Sequence, residues 1–342
     1  MGAPAGSRAP QPPAPAPEPR RTRADVCAIV VSHDSERWLG PALTTLFEHA
    51  GEIELEVVIA DNGSDGAGAR AAAGFDRVRS LECANRGFAH ANNRAALTAD
   101  ARYLLFLNPD TEVLDGTLAE VVAHMDAHPE IGLAGCRQVD EQGQLWPTVR
   151  RFPSAGRALG EALGPERLPF EASWLGETEL DLSAYDGELD CDWTSGSFLF
   201  VRREALERAG LLDERFFFYS EEVDLCRRVK QAGWQVHHLP LLTIVHYGGD
   251  TGGEPRLEAQ MAYARRQYAY KHFSPPRRAA FLAAIGLRHL VRWAAFSRTE
   301  GDRRALAHRR AFLTLIGREE PPFGPPHPGA ETPRLPATAP VS

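Results

Sequence analysis

The feature that most constrains this chain is the apolar run Tyr103-Leu104-Leu105-Phe106-Leu107, cut off abruptly by Asn108-Pro109-Asp110. An apolar run without polar alternation reads as a strand covered on both faces, as in a parallel sheet. Proline has no N–H to give a sheet ladder, so the strand ends there. A carboxylate, Asp110, is thereby set just past the carboxyl end of a central strand, where open α/β sheets bind ligands. It is well placed to hold a divalent metal against phosphates. The same residues also suit a turn, or a cap for a helix starting near Gly116, and this stretch alone weighs the two readings evenly.

The flanking sequence repeats the strand-then-helix pattern. Val26 to Ser32 predicts a first buried strand, and Glu36 to Ala50 a helix with Trp38, Leu39, Leu43, Leu46 and Phe47 at helical spacing. Leu55 to Ala60 is a second strand running into the turn cluster Asp61 to Asp65, and Arg77 to Leu81 a weaker third. Asn85-Arg86-Gly87 opens a helix; another spans Gly116 to His128; Ile131 to Cys136 is a strand. The alternation predicts an α/β chain with a doubly wound, mostly parallel sheet. Residues 137–190 are irregular and predict a surface excursion, a lid or acceptor loop. Phe198 to Val201 resumes as a strand, followed by a short helix at Arg203 to Ala209. Ser220 is placed to cap a helix with Glu221 and Glu222 in its first turn, ending near Gly233. Trp234 to His238 and Thr243 to His246 read as two short strands. The organisation expected is a Pro/Ala-rich disordered tail over 1–23, a catalytic domain over 24–254, a basic helical region over 255–319 and a second disordered, Pro-rich tail over 320–342.

Five scattered cysteines with no CxxC pair argue for reduced, buried thiols in a cytoplasmic protein and against a zinc site. No stretch of 18 apolar residues occurs and the N-terminus has no apolar h-region, so neither a transmembrane helix nor a signal peptide is expected. The net charge of −8 argues against nucleic-acid binding. Charge is uneven, however: Lys271 to Glu320 carries eleven Lys and Arg against four Asp and Glu.

Acids recur at strand ends and helix starts: Asp61 with Asp65, Asp110, and Glu221, Glu222 and Asp224. Asp61 suits a nucleotide base or ribose, or equally an Asx turn. Asn85 and Gly87 suit a pyrophosphate at a helix N-terminus, or simple capping. Neither a Walker A sequence nor G-x-G-x-x-G is present, which disfavours phosphate-loop and dinucleotide readings. Two adjacent acids crowded by Phe216, Phe217, Phe218 and Tyr219 would push one carboxyl upward in pKa, as a general base requires, whereas solvated acids complementing the helix dipole are the plainer reading. His246, ending an apolar strand, is a metal or phosphate ligand or a structural histidine.

Taken in order, VVSHDS, DNGS at 61–64, NRGFAHANN at 85–93, LNPDT at 107–111, WTSGSFLFVRR at 193–203, DERFFFYSEEVDLCRR at 213–228 and HYGG at 246–249 resemble the inverting family 2 glycosyltransferases, in their rhamnosyltransferase-like branch. The resemblance implies a GT-A fold with a C-terminal helical extension, a dTDP-, UDP- or GDP-linked sugar donor, and Mg2+ or Mn2+. It implies donor contacts at Ser32, Asp61, Asn62, Asn85, Gly87, Asn92 and Asn108, and acceptor contacts at Trp193, Ser195 and Gly196. Asp110 and His246 would be metal ligands, and Glu222, with Glu221 beside it, the base. The implied activity is inverting transfer of a sugar such as rhamnose to a saccharide or lipid-linked saccharide in cell-surface polysaccharide synthesis. Two departures stand out: Asn-Pro-Asp where the metal motif is often DxD, and Glu-Glu where the acid pair is usually Glu-Asp. They keep open a catalytically silent nucleotide-sugar-binding protein. A sugar nucleotidyltransferase is the other alternative, disfavoured because SHDSERWLG stands where its Gly-rich basic loop belongs. The basic helices of 255–319 suit either peripheral contact with the inner face of the cell membrane or packing on the acidic half.

Overall fold

A computed structural model describes residues 23–63, 66–163, 175–248, 254–298, 302–326 and 330–335. The tail expected over 1–23 lies outside the described residues except for Arg23. Three strands predicted from apolar runs form the parallel half of one sheet: β1 (Ala24–Ser32), β2 (Leu55–Asp61) and β4 (Ala101–Leu107), with β3 (Val78–Glu82) at the edge. The remaining strands are β5 (Thr111–Gly116), β6 (Ile131–Val139), β7 (Leu189–Asp190), β8 (Phe198–Arg202) and β9 (Gln235–His246). The sheet runs β3-β2-β1-β4-β8-β6-β9-β5, with β7 paired to β9. Pairing is parallel from β3 to β4 and between β6 and β9; β8 runs antiparallel between β4 and β6, and β5 antiparallel beside β9.

This arrangement gathers several chain segments along one edge. Ser32 pairs with Asp61 at the carboxyl ends of β1 and β2. Leu107, at the carboxyl end of β4, pairs with Phe198 at the start of antiparallel β8, so Asn108 to Asp110 and Ser195 to Ser197 emerge together. Thr111 of β5 pairs with His246 of β9. Pro240 sits inside β9 because the register with β6 jumps from Cys136↔Leu239 to Arg137↔Thr243, leaving a bulge where no ladder N–H is required.

Helices cover both faces. On one, α1 (Glu36–Glu48), α2 (Ala67–Ala72) and α4 (Leu118–Ala127) close a core with Leu39, Leu43, Leu46 and Val121. On the other, α3 (Phe88–Ala96), α6 (Arg203–Ala209) and α7 (Glu221–Gln231) pack Ala91, Ala95, Leu206 and Leu225 against Ile29, Leu104 and Phe106. A third core joins α5 (Ala155–Leu163) to α8 (Pro255–His272), α9 (Pro275–Phe296) and α10 (Arg303–Leu315) around Phe281 and Ile285.

Three expectations change. The irregular stretch after β6 is not a loose excursion: Tyr185 is fully buried, its hydroxyl accepting from Val149 N–H at 3.1 Å and donating to the Glu179 carbonyl at 3.0 Å. The C-terminal tail is docked in its described residues, with Leu335 buried and Leu211 N–H donating to the Pro333 carbonyl at 2.9 Å. Helix α9 has 22 residues, and its most apolar 18-residue stretch has a mean hydropathy of 1.3 with 28% of it buried, so by length and composition alone it is long and apolar enough to cross a membrane. Arg288 and Arg292 interrupt its apolar sequence, which hid the segment from a search for unbroken runs.

Candidate active site

A cavity of about 340 Å³ opens at the shared edge. One wall carries Asn108, Asp110, His246 and Gly248; facing residues include Glu221, Glu222, Tyr219 and Ser195 to Ser197; Trp146, Arg150, Glu177, Met261, Arg265 and Tyr268 close it. Thus Asp110, His246, Asn108, Glu221, Glu222, Trp193, Ser195 and Gly196 come together as expected. Ser32, Asp61, Asn62, Asn85, Gly87 and Asn92 do not line this cavity.

The β5–β9 ladder sets the first wall. Tyr247 N–H donates to the Asp110 carbonyl at 3.0 Å, next to the Thr111–His246 pair. Asp110 Oδ1 then stands 3.4 Å from His246 Nε2, and Asn108 Nδ2 3.3 Å from the same nitrogen. A Cβ at Gly248 would lie 2.0 Å from Asp110 Oδ2, so only glycine leaves that carboxylate its place. A carboxylate oxygen and an imidazole nitrogen side by side are groups that would hold a divalent cation such as Mg2+ or Mn2+.

Helix α7 delivers the acid pair. Ser220 occupies the N-cap position, but in the left-handed region at φ 68°, following Tyr219 at φ 71°, and its side chain does not cap the first turn. Two consecutive non-glycine residues in that region store backbone strain of about 1–3 kcal/mol each. The turn swings Glu221 and Glu222 into the cavity, each with a buried Oε2 lacking a hydrogen-bond partner in the described structure. Burial raises both carboxyls. Glu221 is pushed well above the usual range by burial and then by Glu222; Glu222 is raised by burial but drawn back by the backbone N–H groups at the start of α7 and by Arg150 and Arg265. The Gly196 backbone faces Glu222, whose Cβ lies 3.5 Å from where a Gly196 Cβ would stand.

Arg150 and Arg265 were missed by sequence reasoning. Arg150 exchanges backbone hydrogen bonds with Trp193 and lies over its ring at 5.2 Å. Arg265 grips both oxygens of buried Glu177 at 3.1 and 3.0 Å. One lies in an aperiodic stretch and the other in a helix read as a separate region, so no local signal marks either.

Of the expected donor residues, Ser32 and Asp61 end β1 and β2, and β1 lies next to β4 in the sheet. Asp61 accepts from Gly63 N–H at 3.1 Å and Gly68 N–H at 2.8 Å, so the Asx-turn reading is realised. Gly87 has φ 102°, and a Cβ there would meet the Phe217 carbonyl at 2.4 Å; Phe88 N–H donates to that same carbonyl. Gly87 is therefore required by a close chain crossing, and one N–H of the expected phosphate cradle is already used. Ser32 Oγ, Asn62 Oδ1 and Asn92 Oδ1 are buried without a partner among the described residues.

Such a sheet, with a carboxylate and an imidazole at its carboxyl edge and an acid pair facing them, defines a GT-A glycosyltransferase. The model of glycosyl transferase family 2 matches residues 27–208, and the chain belongs to that family. It is 31% identical over 237 residues to an N-acetylglucosaminyl-diphospho-decaprenol L-rhamnosyltransferase of Mycobacterium tuberculosis, covering 65% of this chain and 76% of the relative. It is 26% identical over 230 residues to rhamnosyltransferase WbbL of Escherichia coli, covering 65% and 83%. Among solved structures it is similar to the mannosyltransferase PcManGT from Pyrobaculum calidifontis in complex with GDP-Man and Mn2+, at a TM-score of 0.53 and 16% identity over 87% of this chain and 88% of that one. GalNAc-T7 with UDP, GalNAc and Mn2+ matches at 0.52 and 12% identity, over 87% and 57%. Family membership leaves the nucleotidyltransferase reading without support.

Proposed function

We propose that this glycosyltransferase moves a deoxysugar of the rhamnose type from a nucleoside-diphosphate donor to a hydroxyl of a lipid-linked saccharide, with inversion, at the cytoplasmic face of the cell membrane. The sugar follows the two rhamnosyltransferase relatives, and the lipid-linked acceptor follows the Mycobacterium tuberculosis relative, whose name carries a diphospho-decaprenol. The observation that carries the reading is the cavity that sets Asp110 and His246 against two unpartnered acid oxygens of Glu221 and Glu222.

Glu222, kept ionisable by Arg150 and Arg265, takes the proton of the acceptor hydroxyl as its oxygen attacks the anomeric carbon. Glu221 holds its own proton to higher pH and so lowers the repulsion on Glu222. Trp193, Ser195 and Gly196 orient the acceptor, and Ser32, Asn62 and Asn108 receive the nucleotide. Asp110 and His246 would hold Mg2+ or Mn2+, which when bound neutralises charge on the departing diphosphate. Displacement in one step needs no covalent enzyme intermediate. Calorimetry with a panel of nucleoside diphosphates, with and without Mn2+, tests this in wild type and Asp110→Ala. The expected result is metal-dependent binding of one nucleotide, lost in the variant; binding of none of them would overturn the donor site.

A further inference from the structure

Away from the cavity, three side chains from three helices converge. Glu258 of α8, His289 of α9 and His308 of α10 present one ligand atom each within 4.8 Å of one another. The two Nδ1 atoms are 3.1 Å apart, and Glu258 Oε1 lies 3.8 Å from His289 Nδ1 and 3.6 Å from His308 Nδ1. A triangle with those sides has its centre about 2.0 Å from every corner, the length of a Zn–N or Zn–O bond. Both histidines are buried, and the carboxylate oxygen stands beyond hydrogen-bond reach of either ring. A direct pairing satisfies only the two nitrogens, through a single N–H···N bond; an ion at the centre serves all three atoms. We propose that Glu258, His289 and His308 form a transition-metal site, selective for zinc, that staples α8, α9 and α10 together.

The ligand chemistry favours zinc over the magnesium or manganese of the transfer reaction, because two imidazoles and one carboxylate suit a borderline-soft ion. Three protein ligands leave one position open. Three cations act on the two rings. Those cations are Arg265 on α8 and Arg288 and Arg292 on α9. They oppose a dication, but two of the three are already compensated, Arg265 by Glu177 and Arg288 by Glu161. Glu258 supplies the site's negative charge. A count of cysteines could not reveal this site, since its ligands are spaced 31 and 19 residues apart and contain no cysteine. Its consequence reaches the catalytic cavity, because Met261, Arg265 and Tyr268 continue from Glu258 along α8 into the wall.

The test is cobalt(II) and zinc titration of the full chain after chelator treatment and dialysis, followed by metal analysis on gel-filtered protein. The Asp110→Ala background removes metal binding at the donor site. One equivalent of zinc retained in that background, with the visible absorption of four-coordinate cobalt, is the expected result. His308→Gln should weaken zinc binding roughly 100-fold or more while leaving Mn2+-dependent nucleotide binding unchanged. No retained zinc and no four-coordinate cobalt spectrum in Asp110→Ala would overturn the proposal, as would equal zinc affinity with and without His308→Gln. The cobalt spectrum needs only residues native to the three-helix site, so it decides the matter even if the histidine variant fails to fold.

Discussion

Glu221 and Glu222 are neighbours on α7 whose surroundings drive their acidities apart. At Glu222, backbone N–H groups of α7 together with Arg150 and Arg265 offset part of the burial, whereas Glu222 itself adds to the effect of burial at Glu221, so Glu222 is the acid that ionises first. Glu222→Gln is expected to lower kcat by about 10²–10⁴-fold while nucleotide binding is kept, the usual worth of a positioned general base. Glu221→Gln should retain most activity; the opposite ranking in steady-state assays would move the base to Glu221. A base works unprotonated, so kcat rises as pH climbs through its pKa, and a raised carboxyl places that acid limb above the ordinary glutamate range. Removing a cation that lowers the pKa moves the limb further up. Arg150→Gln should therefore shift the kcat–pH profile to higher pH, and a limb that stayed or moved down would exclude Arg150 as the residue that tunes Glu222. Asp110, His246 and the acid pair were legible in the sequence because each follows a strand end or opens a helix. The arginines that tune the pair were not, because their placement depends on which distant segments fold against the edge.

The parallel strands and their helices were legible because buried strands must be apolar and helices on a sheet must be amphipathic. Strand β5 was not. Only Thr111 and Val113 of its six residues are buried, and a bulge before Asp115 breaks what period remains. Gly116, with a would-be Cβ 1.9 Å from the Leu241 carbonyl, marks that crossing but resembles any turn glycine. Likewise β9 looked like two strands because Pro240 divides it, and the direction of β8 is a tertiary choice that its own residues do not encode. Helix α8 shows the same limit: its basic character suited either a membrane surface or packing on the acidic half, and in the structure it is tied to α7 through Asp224. That carboxylate meets Arg228 Nε at 2.7 Å, Lys271 Nζ at 2.6 Å and His272 Nε2 at 2.7 Å, and these partners hold it below the usual range against the opposing cost of burial. A depressed folded pKa contributes stability that is complete above the unfolded carboxylate pKa and is lost as pH falls toward the folded one. Asp224→Asn takes the carboxylate from Arg228 and His272, while Lys271 keeps Asp213 at 2.6 Å, and should cost about 3–5 kcal/mol in urea unfolding at neutral pH. The cost should shrink as the solution is acidified; a loss under 1 kcal/mol would mean the network is no tie between the helices.

At the scale of the molecule, the loop before α7 is held from both sides. From the sheet side, Asn93 donates to the Leu212 carbonyl at 2.8 Å and accepts from Leu212 N–H at 3.0 Å, while Phe88 N–H reaches the Phe217 carbonyl. From the outside, the C-terminal segment lies along it: Glu214 N–H donates to the Glu331 carbonyl at 3.4 Å, and Phe323 stacks on Phe217 at 5.2 Å. A Pro-rich segment with no apolar period cannot build a core of its own, which is why its sequence predicts disorder. It can still add Leu335 to a core already formed, and extended backbone can hydrogen-bond a loop that has groups to spare. Burying one leucine contributes about 1.5–3 kcal/mol. Deleting residues 320–342 should therefore lower unfolding free energy by roughly that amount. It should also lower kcat, because the released loop is the one whose strained Tyr219–Ser220 turn aims Glu222. Nucleotide affinity should change little, since Asp110 and His246 are fixed by the β5–β9 ladder and not by this loop. A truncated protein with unchanged unfolding and unchanged kcat would show that the clasp is ornamental. One that lost nucleotide binding along with kcat would show that the two walls of the cavity are coupled through the loop.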